Sequence, residues 1–195
     1  MVVVSWCLLG CLSMGCSSGP PTYPYAKEPN PLQQEYVIGV SDLVHVEVWQ
    51  HDEFRTHLVV RPDGRLTMPL IGDIQAAGLT PSELAADIKT RLSQFIKDKP
   101  TVNVSVPAIN SYYVTVAGRV GAPGRFESGT YLRFSDALAL AGGPTPFASP
   151  DDAFILRTGA NGKTRKIPVN YRQVLNGEHL EQDLYLLRGD QLVVP

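Results

Sequence analysis

The chain has 195 residues, of which 44% are hydrophobic and 18% are charged. This composition is typical of a globular protein, and the length accommodates one or two small domains. The formal net charge of −2 excludes a strongly basic surface, so we expect no nucleic acid as a partner.

The N-terminal stretch is apolar and short. Residues 1–15 carry no charged side chain, and a membrane-spanning helix needs roughly 20 apolar residues. The stretch therefore favours the core of a secretory signal over a buried N-terminal strand. All three cysteines, Cys7, Cys11 and Cys16, lie at this end, so no later residue can form a disulfide or act as a thiol nucleophile.

A cysteine that closes an apolar signal resembles the acylated first residue of a bacterial lipoprotein. We therefore predict a lipoprotein signal over residues 1–16 with Cys16 as the lipid site, and Cys11 as the alternative. Residues 17–35 contain five prolines, together with Ser, Gly, Thr and Tyr, and lack periodicity. That composition predicts an extended tether rather than a packed element.

Residues 36–106 predict a first folded domain. Val44, Val46 and Val48 alternate with polar or aromatic residues, which is the period of a strand. Pro62–Gly64 predicts the turn of a β-hairpin. The Thr80–Glu83 capping box predicts a helix, in which Pro81 needs no N–H partner. Its apolar stripe is formed at helical spacing by Leu84, Ile88, Leu92 and Phe95 or Ile96.

The end of the first domain is marked by proline. Lys97–Pro100 is predicted to stop the helix, and residues 101–106 alternate as a returning strand. Residues 107–111 form a break so short that we expect the two domains to touch.

A second domain is predicted over residues 112–195. A strand at 112–118 precedes a glycine-rich turn, and Ser135 can cap a short helix that Gly142 and Gly143 end. A further hairpin follows around residues 159–162, then a helical turn capped by Asn170, and a final strand at 192–194. This order is that of a β-grasp, so the predicted fold class is α+β, with a small β-α domain followed by a β-grasp-like domain.

The first domain resembles the polysaccharide export domain of the bacterial outer-membrane polysaccharide export proteins. The matching residues occur in the family's order, which is more specific than any single match. They are Tyr36, Ile38, Gly39, Asp42, Asp63, Gly64, Pro69, Gly72, Gly78, Leu79 and Thr80. Ser41 stands where the family has a second glycine, so the turn at this position is expected to differ locally.

The second domain resembles the soluble-ligand-binding β-grasp module that follows the export domain in the same family. The residues that carry this resemblance are Gly118, Arg119, Val120, Pro123, Gly124, Ala141, Gly142, Gly143, Arg157, Gly189, Asp190, Val193, Val194 and Pro195. We interpret the glycines and prolines of both motifs as residues that set backbone shape.

The resemblance implies an outer-membrane lipoprotein that faces the periplasm and forms a homo-oligomeric ring through which a capsule or exopolysaccharide polymer passes. It also implies contact with an inner-membrane polysaccharide copolymerase. Longer relatives end in an amphipathic helix that forms the pore, and this sequence stops at Pro195. We therefore expect a short member that works beneath a separate outer-membrane β-barrel protein. The alternative is a periplasmic lipoprotein that binds a small saccharide.

Signals for an enzyme are weak, and we predict no catalytic residues and no cofactor. Ser135 lies in no Gly-x-Ser-x-Gly motif, and no Lys-Ser/Thr follows the glycines at 118–124 as a phosphate loop requires. Asp151 and Asp152 are predicted to be solvated rather than a catalytic pair. His45, His51 and His57 fit no compact ligand motif, so no metal site is predicted.

Overall fold

The computed structural model describes residues 23–97, 99–159 and 161–195. Their buried apolar side chains form two separate clusters. One cluster takes its residues from between Ile38 and Leu92, and the other from between Tyr112 and Val194. We call the parts of the chain built around them the first module and the second module.

The first module is built around a central strand. Its elements in the described residues are β1 (Leu43–Val48), β2 (Thr56–Val59), β3 (Arg65–Met68), β4 (Gly72–Gln75), α1 (Pro81–Leu92) and β5 (Val102–Ala108). Strand β1 lies between β2 and β5 in an antiparallel sheet, and β3 pairs with β4. The predicted alternation is confirmed, because Val44, Val46 and Val48 are buried and the residues between them are half-buried.

Helix α1 begins at the predicted capping box. Thr80 Oγ1 accepts a hydrogen bond from the Glu83 N–H at 3.2 Å, and Glu83 Oε2 accepts from the Thr80 N–H at 2.8 Å. The predicted stripe is confirmed at Leu84, Ile88 and Leu92, which are all 0% exposed. Burial of each side chain contributes roughly 1.5–3 kcal/mol, so this stripe holds α1 against the first core.

Helix α1 ends before the segment that was predicted to stop it. Its last residue is Leu92, and a turn follows in which the Phe95 N–H donates to Leu92 O at 2.9 Å. Ile96 packs against the first core, whereas Phe95 is 57% exposed. Strand β5 in turn continues through Pro107 and Ala108, two residues that were predicted to form the break.

The turn at Pro62–Gly64 is present, but its flanking strands do not form the predicted hairpin. Gly64 has a φ of +79°, and its N–H donates to Arg61 O at 2.8 Å. Strand β2 pairs with β1, whereas β3 pairs with β4. The hairpin prediction is therefore wrong, because turn residues specify a local bend and the neighbouring strands decide the pairing.

The second module has the predicted β-grasp-like arrangement. Its elements in the described residues are β6 (Tyr113–Gly118), β7 (Gly124–Glu127), α2 (Phe134–Leu140), β8 (Phe154–Thr158), β9 (Thr164–Pro168), α3 (Tyr171–Leu175) and β10 (Gln191–Val194). The sheet order is β7-β6-β10-β8-β9. Strand β10 runs parallel to β6 and antiparallel to β8, so the first and last strands of the module lie side by side at its centre. Helix α2 packs against these two strands.

The N-terminus of α2 differs from the prediction. Ser135 is not its cap: the Ser135 N–H donates to Asp183 Oδ1 at 3.0 Å. Instead, a residue in the first turn of the helix provides the cap: Asp136 Oδ2 accepts a hydrogen bond from the Arg133 N–H at 2.9 Å. A carboxylate in the first turn of a helix satisfies an otherwise unpaired N–H group and complements the helix dipole.

The other helix ends of the second module agree with the sequence. Gly142 and Gly143 have φ values of +75° and +72° and follow the end of α2. Asn170 Oδ1 accepts from the Gln173 N–H at 2.9 Å at the start of α3, and Gly177 follows that helix with a φ of +78°. Glycine adopts this left-handed conformation without steric cost.

Residues 23–28, which were predicted as part of the tether, pack on the second module. Tyr23 and Tyr25 lie against the second core, and the Tyr25 hydroxyl donates to Pro168 O at 2.8 Å. The Glu28 side chain is only 2% exposed. The tether prediction is therefore wrong for these residues, and the tether residues before Tyr23 lie outside the described part of the chain.

Candidate functional site at the module junction

A buried carboxylate joins the two modules. Asp42 is 0% exposed. Its Oδ1 accepts from the N–H groups of Asn110 and Ser111, both at 2.8 Å. Its Oδ2 accepts from the Gly39 N–H at 2.7 Å and from the Tyr36 hydroxyl at 2.5 Å. Ser111 Oγ also donates to it, at 3.0 Å. Asp42 thereby connects the start of the first module to the start of the second.

The turn before β1 brings this carboxylate to the junction. A Cβ atom on Gly39 would lie 2.3 Å from Ser111 Oγ and 2.3 Å from Arg188 Nη1, so only glycine fits between them. Ser41, which replaces the second glycine of the family motif, has a φ of +73°. A serine in this left-handed region is strained. The turn therefore retains a glycine-like conformation without the glycine.

Arg188 of the second module forms hydrogen bonds to the segment that precedes strand β1 of the first module. Its Nη2 donates to Val37 O at 2.6 Å and to the Tyr36 hydroxyl at 3.3 Å. Burial and, to a smaller extent, the hydrogen bond to Asp42 together raise the pKa of Tyr36 to about 12. Tyr36 therefore remains a neutral hydroxyl donor at physiological pH.

Two open hollows meet at Arg188. The first, which we call the aromatic hollow, has a volume of about 500 Å³ and is lined by Pro29, Pro31, Gln34, Glu35, Tyr36, Val37, Tyr112, Tyr131, Leu187 and Arg188. The second, the arginine hollow, has a volume of about 300 Å³ and is lined by Val40, Ser41, Asn110, Ser111, Tyr113, Arg125 and Arg188. Both volumes lie within the range of roughly 300–1,000 Å³ that is usual for small-molecule sites.

A second buried ion network fixes the N-terminal segment to the second module. Arg157 is 2% exposed; its Nη2 donates to Asp190 Oδ2 at 2.6 Å and its Nη1 to Glu28 Oε2 at 2.9 Å. Arg165 donates to the same Glu28 oxygen at 2.8 Å, and Tyr23 donates to Glu28 Oε1 at 2.5 Å. Burial raises the pKa of Asp190, while its bonds to Arg157 act in the opposite direction.

The motif residues of the sequence analysis are distributed over both modules. Seven of the motif glycines have a φ between +60° and +100°, namely Gly64, Gly72, Gly78, Gly118, Gly142, Gly143 and Gly189. Gly39 and Gly124 are not among these, and Pro69 and Pro123 are exposed. Asp63 is exposed and bonds Arg61, which lowers its pKa. Of the predicted motif residues, Tyr36, Gly39 and Asp42 lie in the junction, and Cys16 and Cys11 lie outside the described residues.

Three important residues of these two networks were not singled out from the sequence. Glu28 lies in a proline-rich stretch with no periodicity, Ser111 in a predicted break, and Arg188 was not distinguished from other surface arginines. No local signal identifies them, because their partners lie far away along the chain. Glu28 and Arg157, for instance, are separated by 129 positions.

The histidines do not form a metal centre in the part of the chain that the structure describes. His45 and His57 stack across β1 and β2 with ring centroids 4.2 Å apart, and His51 pairs with Glu53. Among the described residues, no three His, Cys, Asp or Glu side chains converge to hold a metal ion. Within 23–97, 99–159 and 161–195, no helix has the length and apolarity needed to cross a membrane.

The fold and the junction define a class of α+β proteins in which hydrogen bonds of a buried carboxylate join a small export-type module to a β-grasp-like module. Residues 30–107 match the family described as polysaccharide biosynthesis/export protein, and residues 113–168 match the SLBB domain. The chain belongs to the polysaccharide biosynthesis/export protein family.

Curated relatives carry names that agree with this family. The chain is 31% identical over 121 residues to the exopolysaccharide production protein ExoF of Rhizobium meliloti. The matched region covers 56% of this chain and 28% of that protein. The chain is 28% identical to the EPS I polysaccharide export outer membrane protein EpsA of Ralstonia nicotianae, over 81% of this chain and 46% of that protein. It is 25% identical to the polysialic acid transport protein KpsD of Escherichia coli, over 74% of this chain and 25% of that protein.

The chain therefore spans between about a quarter and a half of the length of these relatives. The names of the relatives EpsA and KpsD describe export and transport rather than an enzymatic reaction.

Proposed function

We propose that this chain is an outer-membrane lipoprotein that faces the periplasm and assembles into a ring through which an exopolysaccharide or capsule polymer is exported. The observation that carries the proposal is the hydrogen-bonded connection of the two family modules through the buried Asp42. A closed ring requires every copy to present its two contact faces at the same angle, and a fixed junction provides that angle.

Unpaired sheet edges support the formation of a ring. Strands β2 and β5 are the edges of the first-module sheet, and β7 and β9 are the edges of the second-module sheet. Large apolar side chains are exposed on both modules, with Trp49 70% and Phe147 80% exposed. Edges and apolar side chains of this kind are typical of surfaces that another chain covers.

The packing of residues 23–28 on the second module limits how far a lipid anchor could hold the fold from the membrane. Six residues lie between Cys16 and Tyr23, where the packed part begins, so seven Cα–Cα steps join the two. A fully extended chain of that length spans about 25 Å. If Cys16 is the acylated residue, the second module lies close beneath the membrane surface. The remaining proposed partners are an inner-membrane copolymerase and a separate outer-membrane pore protein.

The two hollows at Arg188 favour a second candidate, a monomeric periplasmic protein that binds a saccharide without forming a channel. Their volumes of about 500 and 300 Å³ suit a small ligand better than a continuous polymer path. The two candidates differ in assembly state, which experiment can measure.

The proposed function is tested by deleting the gene and measuring surface polysaccharide. We expect the polymer to disappear from the cell surface and to return with the wild-type gene. A Cys16→Ser variant should fail to restore it and should leave the membrane fraction, whereas Cys11→Ser should restore it. Normal surface polysaccharide in the deletion strain, in the absence of a paralogue, would overturn the proposal.

The mass of the full-length lipidated protein, extracted in mild detergent, separates the two candidates. Light scattering should give a multiple of the mass of one chain if the protein forms a ring. A single-chain mass, both alone and after cross-linking in intact cells, would instead support the monomeric binding protein.

A further inference from the structure

The two hollows at Arg188 differ in chemistry although they share one side chain. The aromatic hollow presents tyrosine and proline surfaces, and the arginine hollow presents two guanidinium groups. Because Arg188 lines both, we treat them as one surface and call it the junction groove. An apolar face beside a cationic face suits a ligand that has both a C–H surface and a negative charge.

Arg188 is oriented but retains hydrogen-bonding capacity. Its Nη2 is used by Val37 O at 2.6 Å and by the Tyr36 hydroxyl at 3.3 Å. Its Nη1 and Nε make no hydrogen bond to another described residue. A planar guanidinium that is already held through one nitrogen binds a carboxylate through its other donors with a smaller loss of conformational entropy than a freely rotating one.

Arg125 provides the second cation of the groove. Its guanidinium lies 3.6 Å from the centroid of the Tyr113 ring, which restricts its position. Its Nη2 lies 3.3 Å from a Glu127 oxygen, a contact between two exposed groups that is worth little in water. The Asn110 side-chain amide donates to Ser41 O at 3.0 Å and lines the same hollow.

The acidic groups near the groove do not line the arginine hollow. Asp42 is buried and saturated by its hydrogen bonds to the junction. Glu35 lines the aromatic hollow, and its carboxylate accepts from Ser82 N–H at 3.1 Å and from Ser82 Oγ at 2.6 Å. Of the residues that line the arginine hollow, none is acidic and two are arginines.

The aromatic hollow offers a flat surface next to these cations. Tyr131 is half-buried and packs edge-on against Tyr112 with ring centroids 5.2 Å apart. The Tyr131 hydroxyl makes no hydrogen bond to another described residue, and Pro29 and Pro31 line the same hollow. A tyrosine with an exposed face and an available hydroxyl combines apolar contact with a polar donor.

We propose that the junction groove binds a carboxylate-bearing sugar residue of an acidic polysaccharide. The carboxylate would contact Arg188 and Arg125, and the C–H face of the sugar would lie on Tyr131. The choice of a carboxylated sugar rests on the proposed role in polysaccharide export. The site itself is defined by its own charge and shape.

The test compares two matched oligosaccharides. The full-length protein is titrated by calorimetry with tetragalacturonate and with its methyl ester, which keeps the sugar rings but removes the negative charges. We expect the acid to bind at least tenfold more tightly than the ester. Added salt should weaken the binding of the acid, because exposed charges are screened.

Variants locate the site. Arg125→Gln and Arg188→Gln should each reduce affinity for tetragalacturonate at least tenfold, and Tyr131→Ala should weaken both acid and ester. Arg172→Gln, an exposed arginine that pairs with Asp151 at 3.4 Å on the second module, is the matched control and should bind normally. Arg125→Gln leaves the contacts of Arg188 to the first module intact, so it tests the site even if Arg188→Gln unfolds the junction.

Three results would overturn the inference. Equal affinity for acid and ester would remove the charge requirement, and normal binding by Arg125→Gln and Arg188→Gln would place the ligand elsewhere. Displacement of the oligosaccharide by inorganic phosphate at the same molar concentration would reveal a simple anion patch. None of these concerns the gene-deletion experiment, so failure here leaves the export role standing, and loss of the export role leaves a measured binding site standing.

Discussion

Removal of the Asp42 carboxylate should weaken the junction between the two modules and lower the free energy of unfolding. Asp42→Ala leaves the N–H groups of Gly39, Asn110 and Ser111 without their acceptor, and it removes the acceptor of the Tyr36 hydroxyl. Each buried donor left unpaired costs about 1–3 kcal/mol. Three backbone donors therefore give a minimum of about 3 kcal/mol. We expect a loss of about 4 kcal/mol in the free energy of unfolding, since water can enter and satisfy part of the junction.

The Asp42→Asn variant refines this prediction. An amide keeps one carbonyl oxygen, which can accept from Asn110 and Ser111 as Oδ1 does now. Its NH₂ group then faces the Gly39 N–H, so one backbone donor loses its partner. We expect a cost of about 2 kcal/mol, close to half that of Asp42→Ala.

Urea unfolding followed by tryptophan fluorescence measures these differences. Trp49 lies in the first module, and the other tryptophan, Trp6, precedes the described residues. Circular dichroism of the same samples reports both modules. Asp152→Ala, at an exposed position of the second module, is the control and should change stability by less than about 0.5 kcal/mol. If Asp42→Ala costs less than about 1 kcal/mol, the carboxylate does not hold the junction.

Three further changes test other features. Gly118→Ala should destabilise the second module by more than about 3 kcal/mol in urea unfolding, because its Cβ would lie 2.0 Å from Val194 O at a φ of +98°. Ser41→Gly should raise the thermal unfolding midpoint through a gain of up to about 1 kcal/mol, since it relieves a left-handed serine. Stability should fall as the pH rises from 10 toward 12: the folded state keeps the Tyr36 proton longer than the unfolded state does, so the contribution of this group is complete below pH 10.

Each of these predictions has its own control. Gly124→Ala should be close to neutral, because no atom lies within 4 Å of the Cβ it would add. A Ser41→Ala variant, which keeps the strain, should not share the gain of Ser41→Gly. Tyr36→Phe should flatten the alkaline loss of stability. An unchanged pH dependence in that variant would assign the loss to Tyr23 or Tyr112, whose pKa burial also raises to about 12.

Most of the confirmed predictions depended on interactions between neighbouring residues. The capping box at Thr80 and Glu83, the stripe of Leu84 and Ile88, and the glycines Gly142 and Gly143 after α2 all appear in the structure. These signals act within one or two helical turns, so the sequence alone contains both partners of each interaction. The ordered family motifs extended this reliability to the α+β fold class.

The tertiary structure decided the interactions between distant parts of the chain. Ser135 has the composition of a cap, yet its N–H bonds Asp183, 48 positions away. The stretch around Glu28 looks like a linker, yet that carboxylate enters a buried network with Arg157. The sequence by itself determined the start of α1, the turn at Gly64 and the glycines after α2, because the partners in each of these features are neighbours in the chain. Only the fold brings Asp42 to Ser111 and places Arg125 beside Arg188, because burial and charge pairing depend on which distant residues become neighbours.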